Sequence, residues 1–505
     1  MPRSAAKALL EIIDRIANNT EQNKEYKEQN DNENDKNEND KIDQNFLFLR
    51  YVTRAGMLLN LGRYDESRAE LNQSIAKFEA MPSSEFRSLV LSACYNTLGS
   101  LSILTYRITR DISRTHEYFR QGDYYYTQHP YTASSPLSSA GVASYANLIG
   151  HPPRKGEFEE FIEAIARCIP HTTHGINGHL GGMDSLCRAE LAFYKGDLPG
   201  AETHAREAVS RARDKGQYGI ENRGLFYLLR IHLYNGNDPS GLETWRQMEA
   251  QLDIQEYVNR YTIHDIITGW FYTQIGEIEE IAPWLRNEVE ENETNLLVIH
   301  SFETMVKAKS LYAEKRCEEA LNFIRRKDVR GGLGSFHLGL LEITVLEAAI
   351  LWRMGDEAGA LKTLEEAYAI SAAYSLDMPF IELGEDMRIM AAAALNSGKY
   401  ALPKPWLEMI RNKASVYGKK LIAVAEHFRN DRRKVPFLSS QELSILTGIS
   451  RGFTREKIAG DVSLSISSVK NIIKTIYGKL GALNRADAIR IATGLGILKQ
   501  KKGGK

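Results

Sequence analysis

From Asn45 to about Asn430 apolar residues recur at i, i+3, i+4 and i+7, in runs of roughly 10–18 residues. Clear β alternation is lacking, so the pattern predicts helices throughout. Short breaks at Gly, Asn-Asp or Pro separate the runs. Residues Met1 to Ala17 place Leu9, Ile12, Ile13 and Ile16 at helical spacing among charges. That arrangement predicts an amphipathic helix, not a signal peptide. Residues 18–44 are Asn, Glu, Asp and Lys with almost no apolar side chain. They cannot bury enough surface to offset ordering entropy, so disorder is expected there.

The breaks are periodic. They fall at Gly156, Gly196, Gly236, Gly276, Lys315, Gly355 and Gly398, spaced by 40, 40, 40, 39, 40 and 43 residues, with a further copy at Gly62. Seven residues earlier stands a small residue at Ala55, Ala189, Gly269, Ala308, Ala348 and Ala391. Five residues later stands another at Ser67, Ala201, Gly241, Ala320 and Ala360. Small residues on two antiparallel helices let the backbones approach, and Gly accepts the left-handed end of the first helix. One such hairpin cannot bury its own apolar face, so the hairpins must stack.

The strings GRYDESRAEL (62–71), GDLPGAETHAREA (196–208) and GDEAGALKTLEEA (355–367) resemble the second half of tetratricopeptide repeats. The long period is similar to that of the helical sensor regions in MalT-like bacterial regulators. The stretch AYSLDMPFIELGEDMRIMAAAAL (373–395) resembles the segment closing such regions. This resemblance implies a right-handed superhelix of about eight hairpins whose concave groove takes an effector: a peptide, a protein or a small molecule.

The C-terminal seventy residues follow a different plan. Four helices are predicted, over 438–452, 453–463, 464–482 and 484–498, capped by Ser439 or Ser440, Thr454 and Ser465 for the first three. The second and third are joined by a turn of about four residues, a helix-turn-helix layout. On the third, Ile466, Val469, Ile473, Ile476 and Leu480 form the inward face. Ser467, Ser468, Lys470, Asn471 and Lys474 form an outward row of donors suited to phosphates and base edges.

Charge sharpens this picture. The chain carries a net −1, but Lys434 to Lys505 holds thirteen Lys/Arg against four acids, so that segment is +9 and the rest −10. A basic domain on an acidic body points to a polyanionic partner, with double-stranded DNA first in line.

Residues Glu442, Gly452, Ile458-Ala459, Val469-Lys470, Lys479-Leu480-Gly481 and Arg485 stand where LuxR-type helix-turn-helix domains carry the same residues, and the unit resembles that family. The resemblance implies that Lys470 and Asn471 read the major groove. It places Ser467, Ser468 and Lys474 on groove or phosphate, and Thr454 and Lys479 on the backbone, with Arg455 and Arg485 completing the set. The fourth helix corresponds to the family's dimerisation surface, so a homodimer on DNA is expected. Ile472, where the family often has His, and the permuted Arg455-Glu456-Lys457 bear on which operator is read.

The implied organisation is an all-α chain. It consists of a helix (1–17), a polar segment (18–44), a tetratricopeptide-like repeat domain (45–428), a linker (429–436) and the helix-turn-helix domain (437–505). The function expected is that of a sequence-specific transcriptional regulator whose repeats sense an effector. The competing reading is an interaction scaffold with a non-DNA-reading terminal module. No G-x-x-x-x-G-K-[ST] string occurs, so the nucleotide-binding module of MalT-like proteins is not expected here. The Gly-rich RGGLGSFHLG (330–339) reads as an inter-helix loop. Cys168, His171, His174 and His179 share a Gly-rich stretch that reads as a loop between repeats, with a ligand loop opening onto the concave surface as one alternative and a metal site as the lesser one. Neither a catalytic arrangement nor a cofactor is expected. The scattered Cys94, Cys168, Cys187 and Cys317 suit a reducing cytoplasm, and no membrane span is expected.

Overall fold

The structure is a computed structural model. It describes residues 8–15, 49–109, 113–128, 157–172, 180–236, 238–254, 257, 260–286, 299–332, 337–432, 438–462, 464–494 and 497–498. Among these residues the regular structure is helical and no strand occurs. The polar segment expected to be disordered, 18–44, lies outside the described residues.

Helix α1 (8–15) buries Leu10 and Ile13, and Leu10 packs on Met57 and Leu58. Two hairpins follow, α2 (Arg54–Asn60) with α3 (Tyr64–Glu79) and α4 (Glu85–Thr109) with α5 (Thr115–Gln128). Helix α6 (Glu157–Thr172) bridges α5 and α7 (Met183–Lys195), which pairs with α8 (Leu198–Asp214). Next come α9 (Tyr218–Asn235) with α10 (Asp238–Ala250), then α11 (Arg260–Ile275) and the short α12 (Pro283–Arg286). Helix α13 (Ile299–Ala313) pairs with α14 (Cys317–Arg325), followed by α15 (Lys327–Gly332). Helix α16 (His337–Arg353) pairs with α17 (Glu357–Ser371), and α18 (Met378–Ile381), α19 (Glu385–Ser397) and α20 (Lys404–Arg432) end the array.

The periodic breaks are helix ends. Gly62, Gly196, Gly236, Gly276, Gly355 and Gly398 all have φ between 59° and 84°. Lys315, the one substitute, adopts φ 62° at the same point of its hairpin, a conformation that favours Gly. Gly156 lies outside the described residues. The small residues predicted beside the breaks are buried, among them Ala55, Ala189, Ala201, Ala348 and Ala360, except Gly241, which is half-buried. Ser67 goes further and donates its hydroxyl to the Ala55 carbonyl at 2.8 Å.

The recurring Gly-Asp pair has a second use. Asp197 and Asp356 cap the following helices, accepting from Gly200 N at 3.1 Å and Gly359 N at 2.9 Å. A Cβ at Gly200 or Gly359 would collide with the capping carboxylate. G-D-x-x-G therefore ends one helix and starts the next.

The array closes on itself. The Tyr374 hydroxyl, just after α17, accepts from the Glu157 N–H of α6 at 3.0 Å, and its ring packs on Phe158. Tyr194 of α7 donates to Glu342 of α16 at 3.0 Å. Arg230 of α9 makes a bidentate pair with Glu382, just after α18, at 3.0 and 2.7 Å. Tyr417 of α20 is buried, stacks on Tyr234 and donates to Gln274 at 3.3 Å. Helices α18 and α20 thus pack against α7, α9, α11 and α16, which precede them in the chain. One contiguous apolar core runs from Phe119 to Ala425.

Two further expectations change. In the Gly-rich stretch, Lys327–Gly332 is helical and His337 already begins α16, so only 333–336 lie between the two helices. Cys168 and His171 are not in a loop but on α6, with Cys168 buried and His171 Nδ1 3.2 Å from Asp123 Oδ2. His174 and His179 lie outside the described residues. Tyr118, Phe119, Tyr125 and the Trp270-Phe271-Tyr272 run are buried as packing residues, whereas Tyr124 is exposed.

Candidate nucleic-acid interface

The last four helices are α21 (Ser440–Ser450), α22 (Arg455–Asp461), α23 (Ile466–Leu480) and α24 (Arg485–Gly494). Each of the first three starts at a hydroxyl cap. Ser439 caps α21, and Glu442 closes a reciprocal capping box, the Ser439 N–H donating to its Oε2 at 2.7 Å. Thr454 accepts from Lys457 N at 3.3 Å. Ser465 accepts from Ser468 N at 3.1 Å.

These helices enclose their own core, in which Ile445, Ile458, Val469, Ile476 and Ala488 are buried. Gly448 sits where a Cβ would press on Ile458, so α21 and α22 approach closely. Gly452, with φ 84°, turns the chain between them. Of the residues predicted to face inward on α23, Ile473 is partly buried and Ile466 is 48% exposed. Ile466 occupies the first helical position, ahead of the packed turns, and so escapes the core.

The donor row is presented to solvent. Ser467, Lys470, Asn471 and Lys474 are exposed, and Ser468 is half-buried. The hydroxyls of Ser467 and Ser468 lie 2.9 and 2.8 Å from that of Ser465, clustering three hydroxyls at the helix N-terminus. Among the described residues Lys470 and Lys474 have no ion-pair partner. Thr454 and Arg455 are exposed at the start of α22. Exposed donors, free lysines and a helix N-terminus together offer a surface for phosphates and base edges.

Two residues expected to contact DNA, Lys479 and Arg485, are engaged inside the domain. Lys479 Nζ lies 2.8 Å from Glu442 Oε2, and Glu442 is only 3% exposed. This ion pair ties α23 to the capping box of α21. Arg485 donates to the Ile449 carbonyl at 2.8 Å, fastening α24 to the end of α21. Both cations complete the packing between helices. The Ser439-x-x-Glu442 spacing signals the box, but nothing in the local sequence signals that a lysine 37 residues later joins it.

Residues 436–492 match the family model described as bacterial regulatory proteins, luxR family. The chain is also similar to "Transcriptional regulatory protein YdfI" of Bacillus subtilis (strain 168), 39% identical over 61 residues. It is 42% identical over 59 residues to "Response regulator RamR" of Streptomyces coelicolor. Each alignment covers 12% of this chain and 29% of the relative. The terminal domain is a LuxR-type helix-turn-helix. No described helix is long and apolar enough to cross a membrane.

Proposed function

We infer that the protein is a DNA-binding transcriptional regulator in which the helical array senses an effector and the terminal domain reads DNA. The observation that carries this reading is the row Ser467, Lys470, Asn471 and Lys474, exposed on a helix whose opposite face is locked into a core. In this reading Lys470 and Asn471 contact base edges. Ser467, Ser468 and Lys474 contact groove or phosphate, and Thr454 and Arg455 contact the backbone beside them. Lys479 and Arg485 hold the helices at the angle this requires.

Helix α24 serves as the dimer contact, and Leu483, 90% exposed just before it, fits such a surface. Two domains then bind half-sites about one helical turn, ~34 Å, apart. Helix α20 ends at Arg432, close in sequence to the first helix of the DNA-binding domain. A change in the packing of α20 is therefore the route by which an effector shifts the population of DNA-competent protein. The reading places the protein in the cytoplasm with the DNA it binds and assigns it no catalytic step.

Genome-wide capture with tagged full-length protein tests this. A compact set of near-palindromic sites, lost in the Lys470→Ala/Lys474→Ala variant, is expected. Enrichment that is the same in variant and wild type would contradict it.

A further inference from the structure

Helices α18 and α20 pack on α9, α11 and α16 without filling the space between them. A cavity of about 280 Å³ remains beside them. Its charged wall is Lys309, Glu342, Arg353, Glu382 and Asp386. Its apolar wall includes Val345, Leu346, Pro379, Leu383 and Leu421.

The charges are unequally committed. Glu382 is held through both oxygens by Arg230, at 3.0 and 2.7 Å. Asp386 is held by Arg353 at 3.1 and 2.6 Å, and the Tyr312 hydroxyl donates to the same carboxylate. Glu342 takes the Tyr194 hydroxyl on Oε1, at 3.0 Å. Its other oxygen lies 3.6 Å from the Lys309 ammonium, beyond a normal hydrogen bond. The two side chains are only 4% and 13% exposed. Lys309 makes no direct hydrogen bond among the described residues. Its remaining neighbour is the Trp270 ring, 5.8 Å away. Ion pairs this deeply placed are normally completed by direct hydrogen bonds.

We propose that this cavity binds a small zwitterion of the α-amino-acid class with an apolar side chain. The ligand carboxylate accepts from Lys309, and the ligand ammonium donates to Glu342 Oε2. Its side chain rests on Leu346, Leu383 and Leu421. The Lys309–Glu342 pair is thereby split into two direct charge-assisted bonds. Three carboxylates against two cations in the lining disfavour phosphates and other polyanions. The volume lies just below the usual range of ~300–1,000 Å³ for small-molecule sites, which fits a single amino acid rather than a longer peptide. Leu421 belongs to α20, so occupancy bears directly on the helix leading to the DNA-binding domain. The proposal rests on the reading that the array senses an effector, and names its chemistry.

The test is isothermal titration of full-length protein with each of the twenty L-amino acids, with isopentylamine and 4-methylpentanoate as the two halves of leucine. Saturable binding of at least one apolar amino acid is expected, at least tenfold weaker for either half. Lys309→Met should weaken binding at least tenfold. Leu421→Trp, which fills the cavity from the apolar side, should abolish it. Both variants should keep the helical circular-dichroism signal. Absence of binding by every amino acid, or equal affinity in wild type and both folded variants, overturns the proposal. DNA affinity measured on the same samples separates the two readings. Intact DNA binding with no amino-acid binding overturns the site alone. Amino-acid binding with no DNA binding upholds the site and overturns the regulator reading.

Discussion

Arg230 and Lys470 are both cations on helices, and the molecule uses them in opposite ways. The Arg230 side chain is 1% exposed. It is pinned on Glu382, and its guanidinium lies 4.3 to 5.5 Å from the ring centroids of Phe193, Tyr194, Phe226, Tyr227 and Trp270. Burial alone lowers its pKa, but Glu382 and the neighbouring tyrosines outweigh burial and hold the group more firmly protonated than usual. Lys470 has solvent around it and no ion-pair partner among the described residues. A buried cation with fixed partners organises a fold, whereas an exposed cation on a rigid helix is available to another molecule. Lys479 shows that position on the recognition helix does not decide the matter: two turns beyond Lys470 it belongs to the first class, through Glu442.

The contrast breaks most visibly at Arg230. Replacing it with Met leaves Glu382 buried without its partner, at a cost on the order of 3–5 kcal/mol. Urea denaturation should show that loss in the array, while the isolated donor row on α23 keeps its DNA affinity per folded molecule. The next effect depends on pH. Burial lowers the His264 pKa to about 4, and neither ring nitrogen has a hydrogen-bond partner among the described residues. The unfolded imidazole takes a proton near pH 6.5, which the folded one resists until about pH 4. Stability is therefore complete above pH 6.5 and falls as pH drops toward 4, by up to about 3 kcal/mol. His264→Phe should flatten that part of the pH–stability curve, and no flattening would contradict the assignment.

Glu442→Ala is a smaller perturbation. It removes the capping-box carboxylate and strands Lys479, at about 1–2 kcal/mol. The chemical shifts of both α21 and α23 should move, showing whether one residue couples the two helices. Smallest of all is Lys315→Gly. Relief of a left-handed lysine should gain about 0.5–1 kcal/mol, less the greater freedom of Gly in the unfolded chain. A clear loss of thermal midpoint would mean that the lysine side chain contributes something its backbone conformation does not reveal.

Local structure was the legible part. The 40-residue spacing located the helix ends, including the one where Lys315 replaces Gly, because a left-handed residue is demanded at a fixed place in each hairpin. The caps Thr454 and Ser465 were equally readable, and Ser439 was readable to within its neighbour Ser440, since each acts within three residues of itself. Closure of the array was not. Arg230 and Glu382 are 152 residues apart, and Glu157 and Tyr374 are 217 apart. Nothing in the period of a repeat says which distant helices meet. For the same reason the charged cavity escaped notice, because Lys309, Glu342 and Asp386 each look like an ordinary polar position on its own helix. At the candidate interface the donor row was readable from helical spacing. The engagement of Lys479 and Arg485 was not, because a cation's partner is set by packing between helices.

The central claim is that lysines of one helix divide between DNA and fold. The most direct measurement is the salt dependence of duplex affinity for wild type, Lys470→Ala/Lys474→Ala and Lys479→Met, on a site recovered by genomic capture. The double variant should bind more weakly, with a log–log salt slope shallower by about one to two. Lys479→Met should keep the wild-type slope per folded molecule while melting earlier. A slope unchanged in the double variant, or reduced only in Lys479→Met, would contradict the claim.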